Sequence, residues 1–250
     1  MDLATLAWIL GSGLATGLGG VGILALRQPS NRLLDVLLGF TAGVMLAAAV
    51  FSLIVPGLER GTLGEVLAGM AIGAAVLMYL DARIPHLHAR FREHGRMAAE
   101  DVEAENRSAL LLAALTIHNI PEGFAVGLAF AAGGMDLGVP IALAIGIQNV
   151  PEGFAAAAPL RLAKVSRGRA AGVAALTGVV EPPAAVLAFF AFELIDQLLV
   201  AGLGFAAGAM LYVVVDELIP EAHGHGNERE VTAALLGGFA LMMLLDNAFG

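Results

Sequence analysis

Apolar residues occur along the chain in eight runs of about 20 residues, separated by more polar segments. A helix of about 20 mostly apolar residues is long enough to cross the hydrocarbon core of a bilayer, so each run predicts a membrane-spanning α-helix. The predicted spans are residues 3–26, 33–55, 63–80, 108–132, 138–160, 170–192, 198–215 and 231–249. No remaining segment is long and apolar enough for a second core, so we predict one all-α transmembrane domain over residues 1–250.

Composition supports a membrane protein. The chain has 58% hydrophobic and 14% charged residues and a mean hydropathy of +0.83. Soluble domains have about 45–50% apolar and about 25% charged residues. The longest polar segment, residues 81–107, contains five arginines and several acidic residues, and we predict a solvated loop there.

The basic residues predict how the chain crosses the membrane. All 13 lysines and arginines except Arg60 lie in the first, third, fifth and seventh segments between the spans or at the adjoining helix ends. The positive-inside rule therefore predicts that these segments, including the loop at about 81–107, are cytoplasmic and that both termini are outside. The expected location is the plasma (inner) membrane, which the chain crosses several times.

A polar phrase occurs twice within the apolar runs. Residues 117–125 read IHNIPEGFA and residues 147–155 read IQNVPEGFA, which places Glu122 and Glu152 near the middle of the fourth and fifth predicted spans. Glu181 is central in the sixth span. A charged residue at the bilayer centre costs about 2.5–3.5 kcal/mol on insertion scales. Because no lysine or arginine lies inside a span, protons or a bound cation must neutralise these carboxylates.

Helical spacing predicts how the repeated phrase is arranged. His118 and Glu122 are four residues apart and therefore share a helix face, and Gln148 and Glu152 repeat this spacing. Asn119 and Asn149 are turned about 100° from that face. The prolines at positions 121 and 151 each remove a backbone hydrogen bond, and we predict that they bend the helices and free carbonyl oxygens at this depth.

These side chains form a candidate metal site. One imidazole, three carboxylates and three amides, without any cysteine, suit divalent zinc, cadmium, iron or manganese and disfavour copper(I). The set can hold two ions that share Glu122 and Glu152. The candidate ligands are His118, Asn119, Glu122, Gln148, Asn149, Glu152 and Glu181. Taken singly, the histidine and the amides could instead be hydrogen-bonded packing residues between helices.

The HNxPEG and QNxPEG motifs, the Glu-Pro of the sixth span and the eight predicted spans resemble the ZIP (Zrt/Irt-like) metal transporters, and specifically their bacterial GufA-like branch. The resemblance implies two metal ions at mid-membrane. His118, Glu122, Gln148 and Glu152 would surround one ion, and Asn119, Glu122, Asn149, Glu152 and Glu181 the other. Many family members have histidine at the position of Gln148, and some have an acidic residue at that of Asn149.

The resemblance also implies an exit route at the cytoplasmic ends of the third and seventh spans. Its candidate residues are Asp81, His86, His88, Asp216, Glu217, Glu221, His223 and His225. His88 and His225 could equally be solvated loop residues, and His94 is better explained in that way. Asp246, near the outer end of the last span, is either a ligand for incoming ions or an interfacial residue.

We therefore expect a carrier, not an enzyme, that moves zinc or a similar divalent ion into the cytoplasm by alternating exposure of the mid-membrane site. The expected partners are divalent metal ions, with zinc foremost, and the lipid bilayer, with no nucleic acid and no cofactor. The resemblance implies an elevator-like motion and a homodimer. A metal-dependent membrane sensor, an intramembrane metalloenzyme and a proton-only carrier are the alternatives, although the HExxH motif of many metalloproteases is missing.

Overall fold

The computed structural model describes residues 1–25, 30–82, 101–162, 164–194 and 198–249. Every regular element in these ranges is helical, in agreement with the predicted all-α class. The elements are α1 (Leu3–Ala25), α2 (Asn31–Ala47), the π-helical segment π1 (Ala48–Ile54), α3 (Val55–Arg60), α4 (Leu63–Asp81), α5 (Asp101–Leu162), α6 (Arg167–Gly178), α7 (Glu181–Leu194), α8 (Leu199–Val213), the π-helical segment π2 (Val214–Leu218), α9 (Ile219–Ala222) and α10 (Glu228–Phe249).

Seven helical segments within the described ranges are long and apolar enough to cross a membrane. They are Leu3–Ala25, Asn31–Arg60, Leu63–Asp81, Thr116–Ala158, Arg167–Phe192, Leu199–Ala222 and Glu228–Ala248. Large apolar side chains remain exposed along several of them, as at Leu18, Leu187 and Leu244. Such exposure is expected where a helix faces lipid, so these segments identify a multi-pass membrane protein.

Helix α5 corresponds to the fourth and fifth predicted spans. Its 62 residues keep helical backbone angles except at Gly133 (φ −142°, ψ 16°) and Gly134 (φ 57°, ψ −137°). The positive φ of Gly134 suits glycine, which has no Cβ to clash with the backbone. The predicted break at 133–137 is therefore found, but it is confined to a kink between two helical arms, α5a (residues 101–132) and α5b (residues 135–162).

Both ends of the predicted solvated segment, at about residues 81–107, are helical. Residue 81 is the last residue of α4, and residues 101–107 already belong to α5. Glutamate and alanine in this stretch favour a helix, so its high content of charged residues was not sufficient to predict a loop. The exit candidates His86 and His88, and also His94, lie outside the described residues.

Prolines act differently in different helices. At Pro121 and Pro151 helix α5 keeps its helical backbone, so the repeated phrase does not break the helix there. The sixth predicted span, in contrast, is interrupted by a turn at residues 179–180, and Glu181 is the first residue of α7. Two consecutive prolines follow Glu181 and cannot donate to the preceding turn, which explains the interruption.

Two segments are wound more widely than the sequence predicts. The π-helical segments π1 and π2 each end two residues before a proline, Pro56 and Pro220 respectively. A wider turn relieves the clash between the proline ring and the carbonyl of the preceding turn. Both segments contain polar side chains, which are described below.

Glycines bring the helices that carry the repeated phrase close to their neighbours. A Cβ on Gly153 of α5b would lie 1.9 Å from the carbonyl oxygen of Thr16 in α1, and one on Gly19 of α1 would lie 1.9 Å from that of Val150. On α5a, a Cβ at Gly123 would lie 2.2 Å from the carbonyl oxygen of Glu181. These backbones touch only because glycine has no side chain, and the contacts place the polar residues of α1, α5 and α7 beside one another.

Candidate metal centre

The seven predicted ligands are all buried within the helical bundle. Asn119, Gln148 and Asn149 are fully buried, and the two most accessible residues, His118 and Glu152, are only 7% and 6% exposed. Buried polar side chains in a membrane protein are costly unless they have partners or bind a ligand. We refer to these seven residues together as the buried polar layer.

Glu122 and Gln148 join the two arms of α5. The side-chain amide of Gln148 donates a hydrogen bond of 2.9 Å to Oε1 of Glu122. The two residues occupy different positions within the repeated phrase, so the contact depends on how the arms fold together at Gly133 and Gly134. This pairing brings an amide oxygen and a carboxylate of the first predicted ligand set close to each other.

Glu181 is held by helix α1 and by Asn149. The hydroxyl of Thr16 donates to Oε1 of Glu181 at 3.0 Å, and the side-chain amide of Asn149 donates to Oε2 at 2.7 Å. The same amide also lies 2.9 Å from the carbonyl oxygen of Ser12. Both carboxylate oxygens of Glu181 therefore have a hydrogen-bond donor.

Sequence reasoning missed the contribution of α1 to the polar layer. Ser12 and Thr16 lie four residues apart and therefore on one face of an apolar helix, which is the signal that could have indicated them. The glycines around them allow close packing, as at Gly19, while Ser12 and Thr16 form a polar face on the same helix.

His118 connects the layer to the predicted exit route. Its Nε2 atom lies 2.6 Å from Oε1 of Glu217, which belongs to π2. The side chains of His118 and Glu217 are only 9% and 16% exposed. Glu217, a predicted exit residue, thus directly contacts His118, a predicted mid-membrane ligand. The sequence did not indicate this contact, because the two residues are 99 positions apart.

Several acceptor oxygens of the layer have no hydrogen-bond partner. These buried atoms are Oε2 of Glu122, Oε2 of Glu152, Oε1 of Gln148, and Oδ1 of Asn119 and of Asn149. Leaving a buried polar atom unpaired costs about 1–3 kcal/mol, and more when the group is charged. Carboxylate and amide oxygens can coordinate divalent cations, so the chemistry of these unpaired atoms fits a cation.

The arrangement is not a closed coordination shell. Within the described ranges, no three His, Asp or Glu side chains lie close enough together to hold an ion. An ion at the layer would therefore need the amide oxygens as additional ligands or a rearrangement of the hydrogen-bonded pairs.

Three predicted exit residues lie at the end of α4 and in π2. The hydroxyl of Tyr212 is 3.1 Å from Oδ2 of Asp81 and 3.3 Å from Oδ2 of Asp216. With Glu217 beside His118, the structure thus brings Asp81, Asp216 and Glu217 to the α8–π2 side of the bundle. Tyr212 was missed because a single tyrosine in an apolar run carries no pattern.

The remaining exit candidates have other contacts. Nδ1 of His223 is 2.8 Å from the carbonyl oxygen of Ile219, and Nδ1 of His225 is 2.8 Å from Oδ1 of Asp35. Glu221 lies in α9, which ends one residue before His223. His223 and His225 therefore have different hydrogen-bond partners from Asp81 and Asp216.

Asp246 has a partner that was also missed. The hydroxyl of Ser52, in the π-helical segment π1, donates a hydrogen bond of 3.2 Å to Oδ1 of Asp246. The two residues are 194 positions apart, and a serine in an apolar run is common enough to carry no prediction. The contact connects π1 to the C-terminal half of α10.

Comparison with known proteins identifies the group to which the chain belongs. The sequence profile described as "ZIP Zinc transporter" matches residues 81–246. Zinc transporter GufA of Myxococcus xanthus is 40% identical over 248 residues, which cover 96% of each chain. Zinc transporter ZIPB of Bordetella bronchiseptica is 42% identical over 94% of this chain and 78% of its own length. Zinc transporter ZIP11 of Homo sapiens is 33% identical over 94% of each chain.

The three relatives match over 94–96% of the chain, and the residues matched by the profile include both copies of the repeated phrase. They name transporters and no enzyme, which agrees with the expectation from the sequence, and the similarity to GufA confirms the predicted branch. The chain belongs to the ZIP zinc transporter family.

Proposed function

We propose that this protein carries zinc or a similar divalent ion, such as cadmium, iron(II) or manganese, across the plasma membrane into the cytoplasm. The observation that carries the proposal is the set of buried, unpaired acceptor oxygens on the repeated phrase. They occur in a member of a zinc transporter family, and its relatives GufA and ZIPB are named zinc transporters. The ion would be the cargo and would leave the layer in each cycle.

Two ions would occupy neighbouring positions in the layer. One position has His118, Glu122, Gln148 and Glu152 as its ligands, and the other has Asn119, Glu122, Asn149, Glu152 and Glu181. The hydrogen bond between Gln148 and Glu122 and the one between Asn149 and Glu181 support this division, because each joins two members of one set. Glu122 and Glu152 belong to both sets, and their unpaired oxygens are suited to bridging two ions.

Alternating access needs the polar layer to lie at mid-membrane with eight crossings. The segment Thr116–Ala158 has 43 residues, which at about 1.5 Å per residue is roughly twice the about 30 Å of a bilayer core. We infer that it crosses twice and reverses at Gly133 and Gly134. Glu122 and Glu152 then lie near the middle of the two arms, and Glu181 at the start of α7 joins them.

Release would proceed from His118 towards Glu217. Their contact of 2.6 Å offers an ion that leaves the layer an adjacent carboxylate, and Asp216 is the next residue to it. Asp81, bridged to Asp216 through Tyr212, continues this acidic side of the bundle. With the termini outside, as the basic residues predict, this end is cytoplasmic.

A metal-dependent sensor is the principal alternative, because it would bind an ion in the same layer without moving it. An intramembrane metalloenzyme would need an open coordination position beside a general base. A proton-only carrier would not need the amides. Measured flux of a metal ion separates the proposed carrier from all three.

The test is zinc uptake into sealed proteoliposomes that contain a zinc indicator. We expect saturable uptake by the wild type and none above empty vesicles for Glu152→Ala. The matched control is Glu228→Ala, which removes an exposed carboxylate far from the layer in the sequence, and it should transport normally. Folded protein that moves neither zinc nor cadmium, iron or manganese would refute the carrier.

The homodimer implied by the family resemblance is a separate proposal. Sedimentation of the protein in detergent of known partial specific volume should give twice the mass of one chain. A species of single-chain mass that still transports zinc would exclude a dimer as a requirement for transport.

A further inference from the structure

Four basic residues cluster where α5b ends and α6 begins, and we refer to them as the basic corner. They are Arg161, Lys164, Arg167 and Arg169. Three of them are exposed, and Arg161 is half-buried. No aspartate or glutamate occurs in the sequence between residues 153 and 180. Among the described residues none of the four forms an ion pair, so the corner presents positive charge without an anionic partner.

Lys164 has a backbone conformation that favours glycine. Its φ is 64°, and in the described part of the chain no other residue except glycine has a positive φ. The backbone amide of Lys164 donates to the carbonyl of Arg161, and that of Val165 donates to the carbonyl of Leu160. These two bonds end many helices, usually with glycine in place of Lys164. A side chain there costs stability, so the local backbone does not explain why this position has a lysine.

The guanidinium group of Arg161 is only partly paired. Its Nη1 atom donates to the carbonyl oxygen of Val165, whereas its Nε atom is buried and has no hydrogen-bond partner. An unpaired buried donor is costly, and a guanidinium group binds carboxylate and phosphate oxygens well. The first turn of α6 has no acidic residue, and its N-cap, Ser166, makes no side-chain capping bond. The charges and the free donor of the corner therefore suit an anion.

The basic corner lies at the level of a membrane surface. It connects the ends of two membrane-spanning segments, Thr116–Ala158 and Arg167–Phe192. Arg161 comes nine residues after Glu152, which is about 14 Å of helix, or roughly half of the about 30 Å of a bilayer core. With Glu152 at mid-membrane, as proposed above, Arg161 reaches the lipid headgroups.

We propose that the basic corner binds the phosphate headgroup of an anionic lipid in the cytoplasmic leaflet. Each lysine or arginine at a membrane surface strengthens the attraction to anionic lipid by about fivefold in affinity. A zwitterionic lipid also has a phosphate, but it has no net charge and should bind more weakly. The positive-inside rule assigns the corner to the cytoplasmic side.

The bound lipid would fix the depth of one half of the polar layer. Helix α5b contains Gln148, Asn149 and Glu152, and α6 leads to Glu181 at the start of α7. A corner attached to headgroups would hold these side chains at a constant distance from the cytoplasmic surface. This role rests on the proposed function, whereas the binding of lipid does not.

The competing explanation is that the four residues only orient the chain in the membrane. Arg32 provides a matched control, because it is exposed and is predicted on the same side of the membrane. Unlike the residues of the corner, it has an ion-pair partner, Glu230, at 3.2 Å. If charge on this side of the membrane attracts lipid without a specific site, removal of Arg32 and removal of Lys164 should have the same effect.

The experiment is native mass spectrometry of the full-length protein in detergent, titrated with phosphatidylglycerol or with phosphatidylcholine. We expect phosphatidylglycerol to bind at least about tenfold more tightly. Lys164→Gly should weaken its binding about fivefold, although the thermal midpoint stays the same or rises because glycine suits the positive φ. A purely structural lysine would not separate these two readouts. Lys164→Arg should retain the affinity, and Arg32→Gln should leave it unchanged.

A second variant tests the corner without a change at the helix end. The double substitution Arg167→Gln and Arg169→Gln should weaken binding of phosphatidylglycerol about 25-fold. Equal affinity for the two lipids, or equal losses for Lys164→Gly and Arg32→Gln, would overturn the proposal. Displacement of the lipid by an equal concentration of inorganic phosphate would indicate a site for free phosphate and would overturn it as well.

The binding assay contains no zinc and is therefore independent of transport. Zinc uptake by a protein that shows no preference between the lipids refutes the lipid site alone. Preferential binding of phosphatidylglycerol by a protein that moves no metal ion supports the lipid site and refutes the proposed carrier.

Discussion

Glu122 and Glu181 lie in the same buried polar layer, yet the protein surrounds their carboxylates differently. Each is 1% exposed. Both oxygens of Glu181 receive hydrogen bonds, from Thr16 and Asn149, whereas Oε2 of Glu122 has no partner. Glu152 resembles Glu122, because its Oε2 is also buried and unpaired.

The difference teaches that residue type and depth do not determine what a buried carboxylate can do. Donated hydrogen bonds stabilise the charge on Glu181 without an ion. Glu122 and Glu152 keep acceptor atoms that only a proton, a new donor or a cation can satisfy. In the proposed carrier, Glu122 and Glu152 would therefore contribute most of the affinity for the ion, and Glu181 would tune the second position.

The largest effect that tests this comparison is expected for Glu122→Gln. The substitution removes a charge and an oxygen shared by both proposed positions, so zinc affinity should fall more than about 100-fold, beyond the cost of losing an outer-shell partner. Zinc binding to the purified protein, measured by calorimetry, gives the result. A decrease no larger than that of Glu181→Gln would remove the distinction between the two carboxylates.

Close packing of α1 is expected to matter next. A Cβ at Gly153 would meet the carbonyl oxygen of Thr16 at 1.9 Å, so Gly153→Ala should separate α1 from α5b and lower the free energy of unfolding by about 3 kcal/mol. Denaturation in mixed detergent micelles is the measurement. Gly172→Ala is the control, since nothing lies within 4 Å of its added Cβ, and it should be neutral or slightly stabilising.

Glu181→Gln should have a smaller effect on binding than Glu122→Gln. The glutamine oxygen can still accept from the Asn149 amide while its NH2 group donates to the Thr16 hydroxyl oxygen, and only the second proposed position loses a ligand. We expect about a tenfold loss of zinc affinity, which corresponds to about 1.4 kcal/mol. One ion bound per chain instead of two would locate the loss at the second position. Unchanged stoichiometry and affinity would show that Glu181 is not a ligand.

The smallest effect is expected for Thr16→Val, which should make Glu181 resemble Glu122. Removal of the hydroxyl leaves Oε1 of Glu181 without its donor and should cost about 1 kcal/mol of folding free energy. Added zinc should then stabilise the variant against heat more than it stabilises the wild type. Thr177→Val is matched, because its hydroxyl donates only to the carbonyl of Ala174 in its own helix. Equal responses of the two variants to zinc would contradict the role of Thr16.

The sequence by itself determined the all-helical class, the apolar membrane segments and the residues of the polar layer. Spans depend on runs of about 20 residues, which are local and need no knowledge of the partner helices. The repeated phrase likewise fixes which residues share a face through the helical period alone. The break near residues 133–137 was predictable because consecutive glycines weaken a helix.

Local rules were less reliable at helix ends and at prolines. The helix over residues 101–107 was missed because acidic residues suit both a solvated loop and a helix. Pro121 and Pro151 do not break α5, whereas the two prolines after Glu181 coincide with an interruption. Whether a proline interrupts a helix depends on the support that neighbouring helices give to the local backbone. That support cannot be read from a single sequence.

Only the tertiary structure decided which polar groups meet. Thr16 and Glu181 are 165 residues apart, and Asp35 and His225 are 190 apart. Such contacts depend on the rotation of each helix about its axis and on how closely the glycines let the backbones approach. Neither quantity is encoded in the spacing of residues within one helix. That is why the sequence indicated the candidate ligands of the layer, while the donors that distinguish one carboxylate from another emerged only from the packing.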